Sequence, residues 1–180
     1  MAGITGKLLG GWSISSSLGL TTGNPNSITA DQPRLGTRTM TYVDGPTVEL
    51  VPGGRLNAVS PNFPANNAFY VDNNQFCHPV KCLPDPFFQG NVGVGTLIGP
   101  GIANLNVTLM KETAVPWIGE SSTLQFRAEF FNLINRVNFT DPETNLFDQN
   151  GNPRSLGGKI STTRDSAPSR QIQLALKLIF

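Results

Sequence analysis

Residues 171–180 read Gln-Ile-Gln-Leu-Ala-Leu-Lys-Leu-Ile-Phe. Ile172, Leu174, Leu176, Leu178 and Phe180 alternate with Gln171, Gln173, Ala175 and Lys177, and only Ile179 breaks the pattern. Successive side chains of a strand point to opposite faces, so this spacing predicts a strand with one apolar and one polar side. Three earlier stretches repeat it. In 12–21, Trp12, Ile14, Leu18 and Leu20, with Ser16 among them, oppose Ser13, Ser15, Ser17, Gly19 and Thr21. In 103–111, Leu105, Val107 and Leu109 oppose Asn104, Asn106 and Thr108. In 123–131, Leu124, Phe126, Ala128 and Phe130 oppose Gln125, Arg127 and Glu129, with Phe131 the exception. Each stretch has the ~9 to 11 residues that a tilted strand needs to cross a bilayer.

Composition agrees with an all-β chain. Gly, Pro, Asn, Ser and Thr make up 78 of 180 residues and charged residues only 14%, which excludes a helical bundle or coiled coil. No apolar run approaches the ~18 residues of a transmembrane helix, so any membrane role uses strands. The net charge of +1, with both signs scattered, gives no electrostatic footprint for nucleic acid. No internal repeat supports a solenoid or propeller. Residues 1–7 hold one lysine with no apolar run behind it, unlike a secretory signal. Two cysteines in a loop-like stretch nevertheless suit an oxidising compartment, so the expectation is a piece of a longer exported parent.

The connections are unequal. Residues 114–122 (AVPWIGESS) form a short turn, whereas 23–101 and 138–169 are long and polar. The many Pro, Gly and Asn residues of 23–101 argue against one continuous fold there, although 39–51 suits a hairpin around Asp44-Gly45. If the strand ends alternate, both long loops fall on one side, while the short turn and both chain ends fall on the other. Outer-membrane barrels have this asymmetry. A soluble β-sandwich also alternates apolar and polar residues, and periodicity alone does not separate the two. The Ser-, Asn- and Gln-rich faces suit a hydrated lumen better than bulk water.

The segments LLGGWSISSSLGLTTGNP (8–25), GPGIANLNVTLMKE (99–112), LQFRAEFFNLINRVNF (124–139) and RQIQLALKLIF (170–180) resemble the C-terminal part of the β-barrel of TonB-dependent outer-membrane receptors, and most of all the Oar-like branch. FRAEFFNLIN is the most specific piece. The resemblance implies antiparallel up-and-down strands near 8–22, 103–112, 123–135 and 170–180, with 1–180 as one C-terminal segment of a transmembrane barrel. It also implies a location in the bacterial outer membrane and import of scarce nutrients such as iron chelates, cobalamin or glycans. The implied partners are outer-membrane lipid, the rest of the parent barrel and its plug, and the TonB complex through a missing N-terminal part. Phe180 resembles the signal read by the outer-membrane assembly machinery. Four strands leave two open edges, whose unpaired backbone groups cannot face lipid, so this piece alone is expected to pair or aggregate.

Several stretches invite a chemical reading. Cys77-His78-Pro79-Val80-Lys81-Cys82 contains three zinc-ligand types, but its spacing and single His suit a disulfide between Cys77 and Cys82 better. The glycines of 90–99 precede Pro100 and a strand rather than the helix a phosphate loop requires. Asp148, Asn150 and Asn152 have the spacing that opens a calcium loop, yet the twelfth position is Lys159, so an Asn-Gly turn accounts for them better. Asn106 and Asn138 begin glycosylation patterns without meaning in a bacterial protein. Arg127, Glu129 and Lys177 are expected to face the lumen and brace the barrel wall. Trp12, Trp117 and Phe180 suit an aromatic girdle at one membrane boundary. No nucleophile, base and orienter assemble around the single His78, and carboxylates are scattered. The sequence therefore reads as a non-enzyme without cofactor or metal. The rival is a soluble secreted β-sandwich serving as a binding or adhesion module.

Overall fold

The computed structural model describes residues 6, 9–31, 47–84 and 90–180. The Asp44-Gly45 turn lies outside the described residues. The chain divides into two compact units. The first comprises Met1–Thr21, Ile102–Asn138 and Arg164–Phe180, and the second Thr22–Gly101 and Phe139–Thr163. Ten strands are present among the described residues, and no helix there is long and apolar enough to cross a membrane.

The first unit is an antiparallel sheet of β1 (Trp12–Thr21), β7 (Ile102–Ala114), β8 (Thr123–Phe131) and β10 (Gln171–Ile179), in that spatial order. The strands arise where the period of two is unbroken, and their ends have local causes. Gly11 precedes β1 at φ 77°, and a Cβ there would collide with the carbonyl of Glu112. A glycine is required at that close approach. The sequence reading carries the third strand to 135, but β8 stops at Phe131. The reason is Asn132, which turns into the left-handed region at φ 49°. Asn tolerates that region better than most side chains, and here its amide is fully used. Its Nδ2 donates to the carbonyls of Arg136 and Pro168, its Oδ1 accepts from the Arg136 N–H, and its own N–H donates to Asn106 Oδ1. At the other end of the strands, hydrogen bonds from Val115 N–H to Ser122 O, Ile118 N–H to Val115 O and Ser122 N–H to Gly119 O close the 115–122 turn.

The second unit corrects the expectation for 23–101. The described residues of that stretch, together with 139–163, pack into one body with its own core. Its strands are minimal: β2 (Pro25–Asn26) pairs antiparallel with β6 (Leu97–Ile98), and β4 (Glu49–Leu50) pairs antiparallel with β5 (Phe76–Cys77). β3 (Thr29–Ala30) runs parallel to β9 (Asn145–Phe147), the one departure from antiparallel pairing among these strands. Ile28, Val48, Val71, Val92, Leu97 and Leu146 are completely or almost completely buried, and Tyr70, Phe76, Phe147 and Ile160 join them. Phe63 meets Tyr70 and Phe139 edge-to-face at 5.3 and 4.8 Å, a geometry favoured by the charge distribution of the rings. The Tyr70 hydroxyl donates to the Ile98 carbonyl at 2.8 Å. Burial, reinforced by the Asp141 carboxylate, pushes that phenol above its usual pKa and keeps it a donor. Each segment contributes only one or two apolar residues to this core. Collected from many segments they hold loops together that have no periodicity of their own.

Replacing Leu146, fully buried at the middle of β9, with Ala is expected to cost about 2 to 5 kcal/mol, because a cavity forms that the neighbours fill only in part. Amide hydrogen exchange should then accelerate at Thr29 and Asp31, whose N–H groups bond the carbonyls of Thr144 and Phe147. Protection in β7 and β8 should stay unchanged.

Candidate functional site

The register of the four-stranded sheet decides its chemistry. Ile14 faces Leu109, Leu109 faces Ala128, and Ala128 faces Leu174. Two rows further along, Leu18 faces Leu105, and towards the other end Phe126 faces Leu176. Residues directly opposite share a face, so the apolar sides of all four strands merge into one continuous surface. That surface is exposed: Ile14 is 73% and Leu174 69% accessible, and Leu18, Leu20, Ile172 and Leu176 are similarly open. Contiguous apolar surface of this extent marks contact with protein or membrane.

The opposite face is polar across the same rungs. Ser15 faces Thr108, Thr108 faces Glu129, and Glu129 faces Gln173. Arg127 Nε lies 3.4 Å from Glu129 Oε1, and Gln125 Nε2 donates to Glu112 Oε1 at 2.8 Å. Lys177 stands opposite Gln125 on this face, next to the rung that pairs Arg127 with Ala175. Arg127, Glu129 and Lys177 therefore share one side of the sheet. The Arg127–Glu129 pair is partly exposed, and such pairs contribute on the order of 1 kcal/mol or less. Holding the two side chains in place on this face of the sheet is a better account of it than stability.

One cation sits on the apolar side. Lys111 is opposite Trp12 at the strand end, and its Nζ reaches the Gly10 carbonyl at 2.7 Å while lying 4.9 Å from the Trp12 ring centroid. The apolar stem stays on the surface and the charge escapes past its edge, as snorkelling lysines do at a membrane boundary. The sequence reading missed this role. The signal was a Trp and a Lys at the same end of two strands whose pairing was not yet known. Trp117 lies in the 115–122 turn at this same end, and Phe180, 92% exposed, follows β10 there.

The other sequence candidates resolve into local structure. Cys77 and Cys82 are joined by a disulfide that spans a single helical turn, Pro79–Cys82. His78, only 1% exposed, caps that turn: Nδ1 accepts from the Val80 N–H, and Nε2 lies 3.0 Å from the Asp31 carbonyl. Both ring nitrogens are thereby occupied, and Pro79 at the first helical position is the feature that signals the cap. Among the described residues, no three His, Cys, Asp or Glu side chains gather into a metal-binding group. The glycines of 90–99 lead to β6 and then β7, not to a helix. Asp148 Oδ1 accepts from the N–H groups of Asn150 and Asn152, and Oδ2 from Asn152 Nδ2, around Gly151 at φ 74°. These acceptors close a turn. Lys159, at the calcium-closing position, places its Nζ 4.5 Å from the Phe69 ring centroid.

Residues 2–173 match the family model described as outer membrane beta barrel domain. No curated protein and no solved structure matches the chain.

Two measurements test this picture. Leu174→Arg places a cation on the apolar face and is expected to cost about 2 to 4 kcal/mol near mid-membrane, reducing the folded protein recovered from outer membranes. Gln173→Arg, on the adjacent polar position, should leave recovery close to wild type. The hydrogen bonds from the Asn152 and Asn150 backbone, with a side-chain bond from Asn152 and the nearby Lys81 charge, hold the Asp148 carboxyl below its usual pKa against a weaker opposing effect of burial. What this carboxylate contributes to the turn is therefore present above its unfolded-state pKa and lost only as pH falls through the lower folded one. A carboxyl-carbon NMR titration should show Asp148 protonating at lower pH than an unstructured Asp.

Proposed function

The chain belongs to the outer membrane beta barrel domain family, and from its all-β structure and place in the bacterial outer membrane we propose that it forms wall strands of a TonB-dependent transporter of the Oar-like branch. The observation that carries this reading is the in-register sheet, apolar on one side and polar on the other across all four strands. A barrel wall needs lipid on the first face and a hydrated lumen on the second. A β-sandwich would bury its apolar face against a second sheet, whereas Ile14, Leu18, Leu174 and Leu176 are exposed.

In this proposal the apolar face meets outer-membrane lipid, and further strands of the parent barrel pair with the outer edges of β1 and β10. The end bearing Trp12, Trp117 and Phe180 is periplasmic, and the long connections belong to the cell surface. Arg127, Glu129 and Lys177 brace the lumenal wall. Phe180 is read by the assembly machinery, and the plug and TonB contacts lie in other parts of the parent. The role is import of an iron chelate, cobalamin or a glycan with inner-membrane energy, without catalysis by these residues.

Deleting the gene and, separately, inactivating TonB in the same bacterium tests the transport reading. Uptake of one nutrient from a labelled panel of ferric chelates, cobalamin and oligosaccharides should fall in both strains. If every uptake rate survives gene deletion, transport is refuted. Removal of Phe180 is expected to lower the amount assembled in the outer membrane severalfold, with transcript unchanged.

A further inference from the structure

After Phe131 the chain makes a turn, 132–138, whose two ends are anchored by the buried Asn132 and Asn138. The Arg136 carbonyl accepts from both amides, from Asn132 Nδ2 at 2.8 Å and from Asn138 Nδ2 at 3.4 Å, and the Arg136 N–H donates to Asn132 Oδ1. Between these anchors Leu133, Ile134, Arg136 and Val137 are all exposed, Ile134 by 53% and Val137 by 55%. Large apolar side chains held together in the open on a pinned turn mark a contact surface.

The turn lies at the strand ends opposite Trp12, where Gln171 pairs with Phe131. β8 and β10 have nine residues each, within the ~9 to 11 that cross a bilayer at a tilt. With Trp12 and Lys111 at one membrane boundary, the 132–138 turn is therefore at the other. It also continues the apolar face. Leu133 donates its N–H to the Leu105 carbonyl, and Leu105 pairs with the exposed Leu18.

The segment that returns to β10 lies against this turn. Asn132 Nδ2 also donates to the Pro168 carbonyl at 3.0 Å, and the Arg164 N–H donates to the Asn138 carbonyl. Segments 132–138 and 164–170 carry Arg136, Arg164 and Arg170 against Asp165 alone, a net +2 in a chain whose total is +1. Arg136 and Arg170 are exposed, and their side chains make no ion pair or hydrogen bond among the described residues. Arg170 stands two positions before Ile172, so it ends the apolar row of β10 as Lys111 ends that of β7 at the other boundary. A guanidinium offers several donors in one plane, which suits the paired oxygens of a phosphate. Uncommitted guanidinium groups beside exposed aliphatic side chains fit an anion that is itself attached to acyl chains.

We propose that Arg136 and Arg170 form a binding site for the phosphate of the phosphorylated lipid of the outer leaflet, with Leu133, Ile134 and Val137 among the acyl chains next to that headgroup. Acyl-chain contact along the wall selects no headgroup, whereas this site does. The inference rests on the proposed orientation, in which the long connections belong to the cell surface, and not on transport.

Lipid titrations followed by native mass spectrometry, on the whole protein purified from outer membranes in detergent, test it. The probes are lipid A, lipid A stripped of its phosphates, phosphatidylglycerol and inorganic phosphate. Lipid A should bind about tenfold or more tightly than either other lipid, and an equimolar amount of inorganic phosphate should not displace it. The double variant Arg136→Gln, Arg170→Gln should lose about tenfold in lipid A affinity, with recovery from outer membranes unchanged, because neither side chain has a protein partner to lose. Arg136→Lys should fall between wild type and Arg136→Gln, since an ammonium keeps the charge without the planar fork. Arg55→Gln, which removes an exposed cation in the second unit, should change nothing. Equal binding of the dephosphorylated lipid, displacement by inorganic phosphate, or affinity unchanged in the double variant overturns the proposal. Preference for phosphatidylglycerol that the double variant abolishes overturns it together with the orientation on which it rests. Weak binding of every lipid overturns this site alone and leaves the uptake test to decide transport.

Discussion

Strand register is the constraint on which the first unit depends. With Ile14 opposite Leu109 and Ala128 opposite Leu174, apolar positions meet apolar ones on most rungs, and the polar positions follow without further specification. A slip of one residue between any two strands would send one strand's leucines to the side of Arg127 and Glu129. The register is pinned at both strand ends. Gly11 and the 115–122 turn fix one end, and the left-handed Asn132, bonded to Asn106 on the neighbouring strand, fixes the other. Asn138 adds a further tie, its Oδ1 accepting from the Ala103 N–H at the start of β7. Small polar residues at the margins thus determine which way the large apolar ones point.

The second unit depends on a different economy. Its ladders are two or three residues long, too short to be stable by backbone pairing alone. Side chains that reach between segments do the joining. Asp31 accepts from Asn145 Nδ2 at 2.7 Å and pairs with Arg154 at 2.8 Å, while its carbonyl meets His78. Asn73 donates to the Gly157 carbonyl, and Glu49 accepts from both the backbone and the side chain of Asn91. The abundance of Asn and Asp is structural here: short side chains with planar acceptors and donors take over bonds that longer strands would have made.

These two economies explain what was legible in the sequence. Ile172 through Phe180, and the three segments like it, announce their strands because period two is the geometry of the strand itself. Phe131 looked like a lapse in that pattern, and in the structure it is the last residue before Asn132 turns the chain. The core of the second unit was hidden because Ile28, Val48, Val71 and Leu146 are single apolar residues in polar surroundings, and no periodicity relates them. His78 was visible as a candidate ligand but not as a cap, since its partner carbonyl on Asp31 is 47 residues away.

The disulfide is local by contrast with the rest of that unit. It links residues only five apart in sequence, whereas Asp31 and Arg154 meet across 123. Closing so small a ring removes little freedom from the unfolded chain, and the long closures must still be made unaided. Such distant meetings slow folding. The second unit is therefore expected to mature late, after its chain has crossed into an oxidising space, and for that interval its apolar residues stay open to contact with neighbouring chains.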